Sequence, residues 1–190
     1  MNNYKVKKEA KNVYSINDSD LCTTYLVIGK EKALVIDTGI PSQNNLLEEI
    51  RKITNKELIV ALTHGHFDHA GHTNEFASFY MNEKDLMLLQ ENMKDKMIPL
   101  YDGQEFDLGG TKIKTLFTIG HTQGSVSFID EDNHILFTGD QFGSGCGVWM
   151  QVFGASTLSE YIKSIDNFKN YLSEKYDYDF YKWKYCGGHL

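Results

Sequence analysis

A ten-residue stretch from Thr63 to His72 constrains this chain more than any other part of its sequence. It holds five side chains that can bind a divalent cation: His64, His66, Asp68, His69 and His72. A short apolar run, Glu57 to Leu62, precedes the stretch and predicts a buried strand. The polar residues therefore follow the end of a strand, which is where parallel α/β sheets bind ligands.

The spacing within this stretch favours two metal positions. His64 and His66 are two residues apart, so an extended loop directs both side chains to one side. Asp68 and His69 are adjacent, and their side chains diverge. One loop of this kind can serve two cations about 3.5–4 Å apart, as in two-metal hydrolytic sites. The alternative is a solvated polar loop, which does not explain so many histidines.

Three more ligand candidates follow apolar runs later in the chain. Thr111 to Ile119 has the alternation of a strand and is followed by Gly120 and then His121. The run Ile135 to Thr138 leads to Gly139 and Asp140, and His189 follows the strand-like end of the chain. A carboxylate has two oxygens and can bridge two cations, whereas a single histidine nitrogen cannot. Asp140 is therefore suited to a bridging position.

The motif His64-x-His66-x-Asp68-His69 resembles that of the metallo-β-lactamase superfamily, and the later residues occur in the order which that family requires. The resemblance implies an α/β fold, a four-layer αββα sandwich of two mixed β-sheets flanked by helices. It also implies that His72 is not a ligand and that Asp37, at the end of an earlier strand, lies close to the metals. The implied ligand division is His64, His66 and His121 on one metal, Asp68, His69 and His189 on the other, and Asp140 as the bridge.

Imidazole and carboxylate ligands without thiolate suit zinc, here two ions per chain, and also admit iron or manganese. A water held by zinc drops in pKa toward 7 and becomes hydroxide, which attacks an electrophilic carbonyl or phosphoryl centre. Asp68 and Asp140 are the predicted catalytic residues, because Asp68 can also orient the nucleophile or carry a proton. The sequence therefore predicts a metal-dependent hydrolase.

The stretch His121-Thr122-x-Gly124-Ser125 resembles the G-H-T-x-G-H motif of hydroxyacylglutathione hydrolases (glyoxalase II), with Ser125 in place of the last histidine. The sequence stops one residue after His189, so the C-terminal segment that holds glutathione in those thioesterases is not expected here. A small acyl substrate, a thioester or a lactone, is therefore expected. The alternatives are a β-lactam hydrolase and a mononuclear iron persulfide dioxygenase that uses a subset of these ligands.

The charge and the cysteines limit the function classes. The formal net charge is −7 without a basic stripe, which argues against nucleic acid as the partner. No apolar segment follows the basic N-terminal residues, so neither a signal peptide nor a membrane partner is expected. The scattered Cys22, Cys146 and Cys186 predict reduced thiols in a cytoplasmic protein. The expected partner is a small-molecule substrate, and a homo-oligomer is a further expectation.

The length fits a single domain over residues 1–190. The predicted ligand His189 stands next to the last residue, where chain ends fray. Either the sequence is a fragment of a longer protein, truncated at the C-terminus, or a partner subunit covers this end. Both expectations stay open at this point.

Local patterns predict the elements around these loops. Val13 to Ile16 is expected to be an edge strand, and Leu21 to Ile28 with Lys32 to Ile36 a hairpin. One helix is expected to begin after Ser42 as its N-cap. Another is expected from Gly71 to Phe76, with Asp68 and His69 just before its positive end.

Two later stretches complete the expectations. The glycine-rich run from Gly143 to Trp149 predicts a substrate-facing wall or lid. The alternative is a surface connection in which Trp149 only packs. Beyond it, Thr157 and Glu160 have the spacing of a capping box at the start of a long amphipathic helix.

Overall fold

Two mixed β-sheets form the centre of the fold in a computed structural model, which describes residues 4–18, 21–143, 147–176, 179 and 182–189. Within those ranges the first sheet has seven strands in chain order: β1 Tyr4–Ala10, β2 Val13–Asp18, β3 Cys22–Ile28, β4 Lys32–Ile36, β5 Glu57–Ala61, β6 Phe79–Met81 and β7 Met97–Pro99. Strands β1 to β4 pair antiparallel, and β4 to β7 pair parallel.

The second sheet has the spatial order β12-β11-β10-β9-β8 among the described residues. Its strands are β8 Glu105–Asp107, β9 Lys112–Phe117, β10 Val126–Asp130, β11 Ile135–Gly139 and β12 Lys184–Gly187. Strands β11 and β12 run parallel, while the other neighbours are antiparallel. Both sheets are therefore mixed, as predicted.

Helices cover the outer faces of the two sheets. The described α-helices are α1 Leu46–Ile53, α2 Phe67–Ala70, α3 Glu91–Lys94 and α4 Leu158–Tyr176, and two 3₁₀ turns span Thr73–Glu75 and Glu83–Leu88. None of the helices in the described part of the chain has the length and apolar character needed to cross a bilayer.

Three apolar clusters fill the spaces between four layers. The first lies between the sheets, where Leu34 of β4 belongs to the same buried cluster as Phe128 of β10. In the second, Ile50 of α1 packs on the outer face of the first sheet. In the third, Phe168 of α4 packs with Leu136 on the outer face of the second sheet. The burial of these faces confirms the predicted αββα sandwich.

The strand pairing brings separate loops to one edge of the fold. Strands β4 and β5 are parallel with Ile36 opposite Ala61, so the residues that follow each strand leave the sheet side by side. Strands β11 and β12 are parallel with Gly139 opposite Gly187, which places Asp140 and His189 together. Parallel pairing therefore explains why residues far apart in sequence meet at this edge.

Several local predictions need correction. Val13 to Ile16 does not form the edge, because β1 pairs with β2 along its whole length and is itself the edge strand. Helix α1 begins at Leu46, where the Asn45 side chain accepts from the Glu48 N–H, and not after Ser42. The helix expected from Gly71 instead begins inside the motif at Phe67 and ends at Ala70.

Other local predictions are confirmed. Strands β3 and β4 form the predicted hairpin. The capping box is present, because Thr157 N–H donates to Glu160 Oε2 at 2.9 Å and Glu160 N–H donates to Thr157 Oγ1 at 3.3 Å. These reciprocal bonds satisfy backbone donors at the start of α4.

Candidate metal centre

The structure brings all seven predicted ligands together at the edge where the parallel strands end. Three of them, His64, His66 and His121, form one group, whose ligand atoms lie within 4.8 Å of one another. Asp68, His69 and His189 form a second group at the same separation, and Asp140 joins His64 and His69 in a third. The grouping has the division that the family resemblance implied.

Hydrogen bonds orient the rings of His66 and His121 toward each other. His121 Nδ1 lies 2.8 Å from the carbonyl oxygen of Trp149, and His66 Nε2 lies 3.2 Å from that of Phe153. A carbonyl oxygen only accepts, so each of these two ring nitrogens donates an N–H to its carbonyl. The remaining nitrogens, His66 Nδ1 and His121 Nε2, face each other at 3.0 Å. Two ring nitrogens at this separation are satisfied either by one proton shared in an N–H···N hydrogen bond or by a cation that both of them bind.

Asp37 lies close to the predicted metal ligands, as the family resemblance implied, and it contacts the His69 ring on the side away from the site. Its carboxylate lies 2.9 Å from His69 Nδ1 and accepts from the Thr63 N–H at 2.7 Å and the Thr63 hydroxyl at 2.8 Å. The bond to Nδ1 directs His69 Nε2 into the site. Asp37 has a φ of 60°, in the left-handed region that only a few residue types adopt readily.

Asp140 stands between the two groups. Its Oδ2 lies 3.1 Å from His189 Nε2 and 3.7 Å from His121 Nε2, and its Oδ1 lies 3.4 Å from His69 Nε2. Burial alone raises the pKa of this carboxyl, but the hydrogen bond from His189 and the nearby ring of His69 hold the pKa well below its ordinary value. The same hydrogen bond to Asp140 raises the pKa of His189 to about 10. A carboxylate in this position can contact both groups.

Three buried polar atoms in the described site have no hydrogen-bond partner: His64 Nε2, His69 Nε2 and Asp140 Oδ1. An unsatisfied buried polar group costs about 1–3 kcal/mol, and folded proteins have few of them. Burial, together with His69 and His121, lowers the pKa of His64, which keeps its lone pair available. The orphaned atoms and the neutral ring fit a site for divalent cations.

The sequence analysis missed Cys22 at this site. Its Sγ lies 3.7 Å from Asp68 Oδ2 and 3.6 Å from His189 Nδ1, and it belongs to the second group of possible ligands. The ligand set predicted from the sequence contains nitrogen and oxygen atoms only, so Cys22 adds a sulfur atom beside it. Burial raises the pKa of the thiol. Only the fold brings it here, because Asp68 and His189 are 46 and 167 residues away in sequence.

Asp85 is a second residue that the sequence analysis missed. It is 1% exposed, and its carboxylate accepts from Gly65 N–H at 2.9 Å, Gly124 N–H at 2.8 Å and the Thr122 hydroxyl at 2.7 Å. These partners flank the predicted ligands His64, His66 and His121 in sequence. A Cβ at Gly124 would lie 2.5 Å from Asp85 Cγ, so this close approach requires glycine.

Other candidates lie outside the group. His72 Nδ1 is 2.7 Å from Glu75 Oε1, and His134 packs its ring against Trp183. Cys186 is buried in the core between the sheets. Cys146 lies outside the described residues.

A cavity of about 520 Å³ opens beside the predicted ligands. His66, Asp68, His121, Asp140 and His189 form its polar floor. Trp149 lines it with 70% of its surface exposed, so this side chain faces the cavity rather than packing in the core. Of the glycine-rich run, residues 144–146 are outside the described part of the chain. The volume is that of a site for a small organic molecule.

Comparison with known proteins identifies the family. Residues 18–181 match the family model described as metallo-beta-lactamase superfamily. The chain therefore belongs to the metallo-β-lactamase superfamily. This match confirms the family resemblance that the motif indicated and that the fold shares.

Curated relatives carry hydrolase and thioesterase names. The chain is 34% identical over 143 residues to the probable polyketide biosynthesis zinc-dependent hydrolase BaeB of Bacillus velezensis, covering 68% of this chain and 59% of that protein. It is 30% identical to an atrochrysone carboxyl ACP thioesterase of Aspergillus terreus, with 67% and 42% covered. It is 29% identical to a hydroxyacylglutathione hydrolase of Francisella tularensis subsp. novicida, with 70% and 52% covered. The chain thus spans about half the length of these relatives.

Solved structures show the same fold. A metallo-beta-lactamase from Pontibacter korlensis matches with a TM-score of 0.76 at 21% identity, over 98% of this chain and 91% of that one. An archaeal superfamily protein from Sulfolobus tokodaii matches with a TM-score of 0.71 at 21% identity, over 95% and 80%. Identities this low establish the architecture alone.

Proposed function

We propose that this chain is a zinc-dependent hydrolase that cleaves a small acyl substrate. A thioester is the first candidate for this substrate, and a lactone is the second. The observation that carries the proposal is the pair of facing ring nitrogens of His66 and His121, 3.0 Å apart, each with its other nitrogen held by a carbonyl. This pair stands at the floor of a cavity large enough for an organic substrate.

The proposed metal ligands are the seven residues named from the sequence, with two zinc ions per chain as the expected content. When bound, zinc lowers the pKa of a coordinated water toward 7 and polarises an acyl oxygen. The chain's own residues must then orient the substrate and move protons. Iron or manganese would suit the same nitrogen and oxygen ligands.

Asp68 is the proposed proton carrier. Its carboxylate lines the cavity and lies 3.7 Å from His189 Nε2 and 3.7 Å from Cys22 Sγ. From this position it can accept a proton from the attacking water and release it to the leaving group. Asp140 has the proposed role of joining the two ligand groups, because its two oxygens point to different groups.

The relatives support a thioester. An ACP thioesterase and a hydroxyacylglutathione hydrolase are among the curated proteins that this chain resembles. The solved β-lactamase structures support the fold only, so they do not favour a β-lactam. The chain spans only part of each curated relative, and the proposal concerns the activity of that shared part.

The test is the metal content of the protein purified without added metal, measured by mass spectrometry beside three hydrolysis assays. The substrates are an acyl thioester, a lactone and a chromogenic cephalosporin. We expect two zinc ions per chain and turnover of the thioester, which a chelator removes and added zinc restores. One iron per chain without hydrolysis of any substrate would overturn the proposal and favour the persulfide dioxygenase.

A further inference from the structure

Three aromatic side chains expose most of their surface around one cavity. Phe67 is 63% exposed, Trp149 is 70% exposed and Phe153 is 72% exposed, and all three line the cavity of the candidate metal centre. Val148 and Val152 line it between them. We call these five residues the apolar rim. Aromatic rings that are clustered and exposed to water raise the free energy of the protein unless a partner or ligand covers them. Such a cluster therefore marks a binding surface.

Among the described residues that line the cavity there is neither a lysine nor an arginine. The whole stretch 143–153 contains neither residue type, and the charged groups that line the described cavity are the predicted ligands on its floor. A ligand carboxylate held against the rim would lose its hydration without gaining a partner. The rim therefore favours an uncharged, apolar group.

The rim is attached directly to the predicted metal ligands. Trp149 and Phe153 accept hydrogen bonds through their carbonyl oxygens from His121 and His66. Phe67 stands between His66 and Asp68 in the chain, at the start of α2. The rings are consequently held next to the floor of the cavity, where the reacting bond would be. A substrate group bound on the rim therefore lies close to the reacting bond of the same molecule.

We propose that the apolar rim is the subsite for an uncharged apolar acyl group, and that the substrate is a thioester of an apolar monocarboxylic acid. The inference rests on the proposed hydrolase function and adds the class of acid. Burial of each methylene against Phe67 and Phe153 strengthens binding. A terminal carboxylate at the same place abolishes that gain.

The first test compares matched thioesters on the zinc-loaded protein. Butanoyl, hexanoyl and octanoyl thioesters of N-acetylcysteamine vary the chain length, and the adipoyl thioester matches hexanoyl except for its terminal carboxylate. Full burial of a methylene predicts a gain in kcat/KM of about fourfold per added group. The adipoyl thioester is expected to react at least about tenfold more slowly than the hexanoyl thioester, because its carboxylate is desolvated without a partner.

Substitutions in the rim test whether the rim causes the preference for longer, uncharged acyl groups. Phe67→Ala and Phe153→Ala are expected to flatten the dependence on chain length and to reduce the difference between hexanoyl and adipoyl thioesters. Both side chains are mostly exposed, so their loss should not unfold the protein. Tyr101→Ala is the matched control, because Tyr101 is an aromatic residue with 69% exposure outside the cavity. It should leave the chain-length dependence unchanged.

A binding measurement separates the rim from the catalytic proposal. Octanoate and adipate are titrated into zinc-loaded protein while tryptophan fluorescence is recorded; Trp149 is exposed, whereas Trp183 is buried. We expect octanoate to change the emission at a lower concentration than adipate, and Trp149→Phe to remove the change.

Each outcome decides one of the two proposals. Octanoate binding at Trp149 without turnover of any thioester or lactone would support the rim as an apolar binding site and overturn the hydrolase. Turnover of hexanoyl and adipoyl thioesters at equal rates, unaffected by Phe67→Ala, would overturn the rim and leave the hydrolase in place. Equal binding of octanoate and adipate would also overturn the rim.

Discussion

Two buried carboxylates stand behind the two halves of the candidate metal centre, and they work in different ways. Asp37 is 2% exposed and Asp85 is 1% exposed. Each accepts three hydrogen bonds from the loops around it. Asp37, however, bonds the imidazole of a predicted ligand, His69, whereas Asp85 bonds only backbone N–H groups and the hydroxyl of Thr122.

The contacts explain what each carboxylate does. The hydrogen bond that His69 Nδ1–H donates to Asp37 fixes the ring and increases the basicity of the opposite nitrogen, which is aimed into the site. Asp85 instead joins two loops, one that carries His64 and His66 and one that carries His121. One half of the site is thus organised through a ligand side chain, and the other through the backbone on either side of its ligands.

This difference predicts different losses. Removing Asp85 leaves two buried N–H donors unpaired, so it should affect the folded state as well as the site. Replacing Asp37 by its amide keeps the shape and changes only the charge, so it should affect metal affinity in one half. Asp140 is shared, and its removal should affect both halves at once.

The largest effect is expected for Asp140→Ala. Asp140 is the group that contacts His69, His121 and His189 together. Its loss should abolish both the loading of two metals and turnover. Metal content by mass spectrometry and thioester hydrolysis measure the two effects. Activity close to wild type with two metal equivalents retained would contradict the bridging position.

The next effect is expected for Asp85→Ala. We expect a loss of about 3 kcal/mol in the free energy of unfolding of the metal-free protein, because buried donors at Gly65 and Gly124 lose their acceptor. Urea denaturation measures this loss. In the folded Asp85→Ala protein, the affinity for one metal equivalent should fall, while the affinity for the other equivalent should stay unchanged.

Asp130→Ala is the control for Asp85→Ala. Asp130 is also fully buried, but it accepts from Asn133 at the turn after β10, outside the predicted site. It should destabilise the fold without changing metal affinity. A double-mutant cycle compares the loss of metal affinity in two backgrounds. Asp85→Ala should add little to the loss caused by His121→Ala, and it should add fully to the loss caused by His189→Ala. Full additivity with both would show that Asp85 acts on stability alone.

The sequence predicted those parts of the molecule that local patterns determine. The motif of His64 to His69 follows an apolar strand, and the run up to Gly120 and His121 repeats the arrangement, so both loops were predicted with their strands. Family resemblance supplied the division of the ligands. The same resemblance placed Asp37 close to the metals, and the parallel pairing of β4 with β5 explains why Asp37 lies beside the motif.

Long-range contacts could not be predicted in this way. Asp85 bonds groups 20 to 39 residues away, and no local pattern distinguishes it from a surface residue of a helical segment. Cys22 meets His189 across 167 residues. Strand β1 was missed because its residues are mostly charged and exposed, so it lacks the alternation of a half-buried strand.

Helix α2 was placed too late for a different physical reason. Its N-cap, His66, makes no capping hydrogen bond through its side chain, so the sequence has no start signal at this point. The ring is used instead at the site, where it faces His121 at 3.0 Å. A residue committed to the candidate centre therefore departs from the local rules for helix ends.

The smallest effect is expected for Asp37→Asn. The amide keeps an oxygen for the Thr63 N–H, but it presents either a neutral acceptor or a donor to His69 Nδ1, so His69 becomes a weaker ligand. Loss of such a partner typically lowers metal affinity by about 10- to 100-fold. Competition with a chromophoric chelator measures it in two backgrounds. In His121→Ala, where the half with Asp68 and His69 remains, the affinity should fall. In His189→Ala, where the three-histidine half remains, it should stay the same. An equal fall in both would mean that Asp37, like Asp85, acts through the backbone, and that the two carboxylates do not differ.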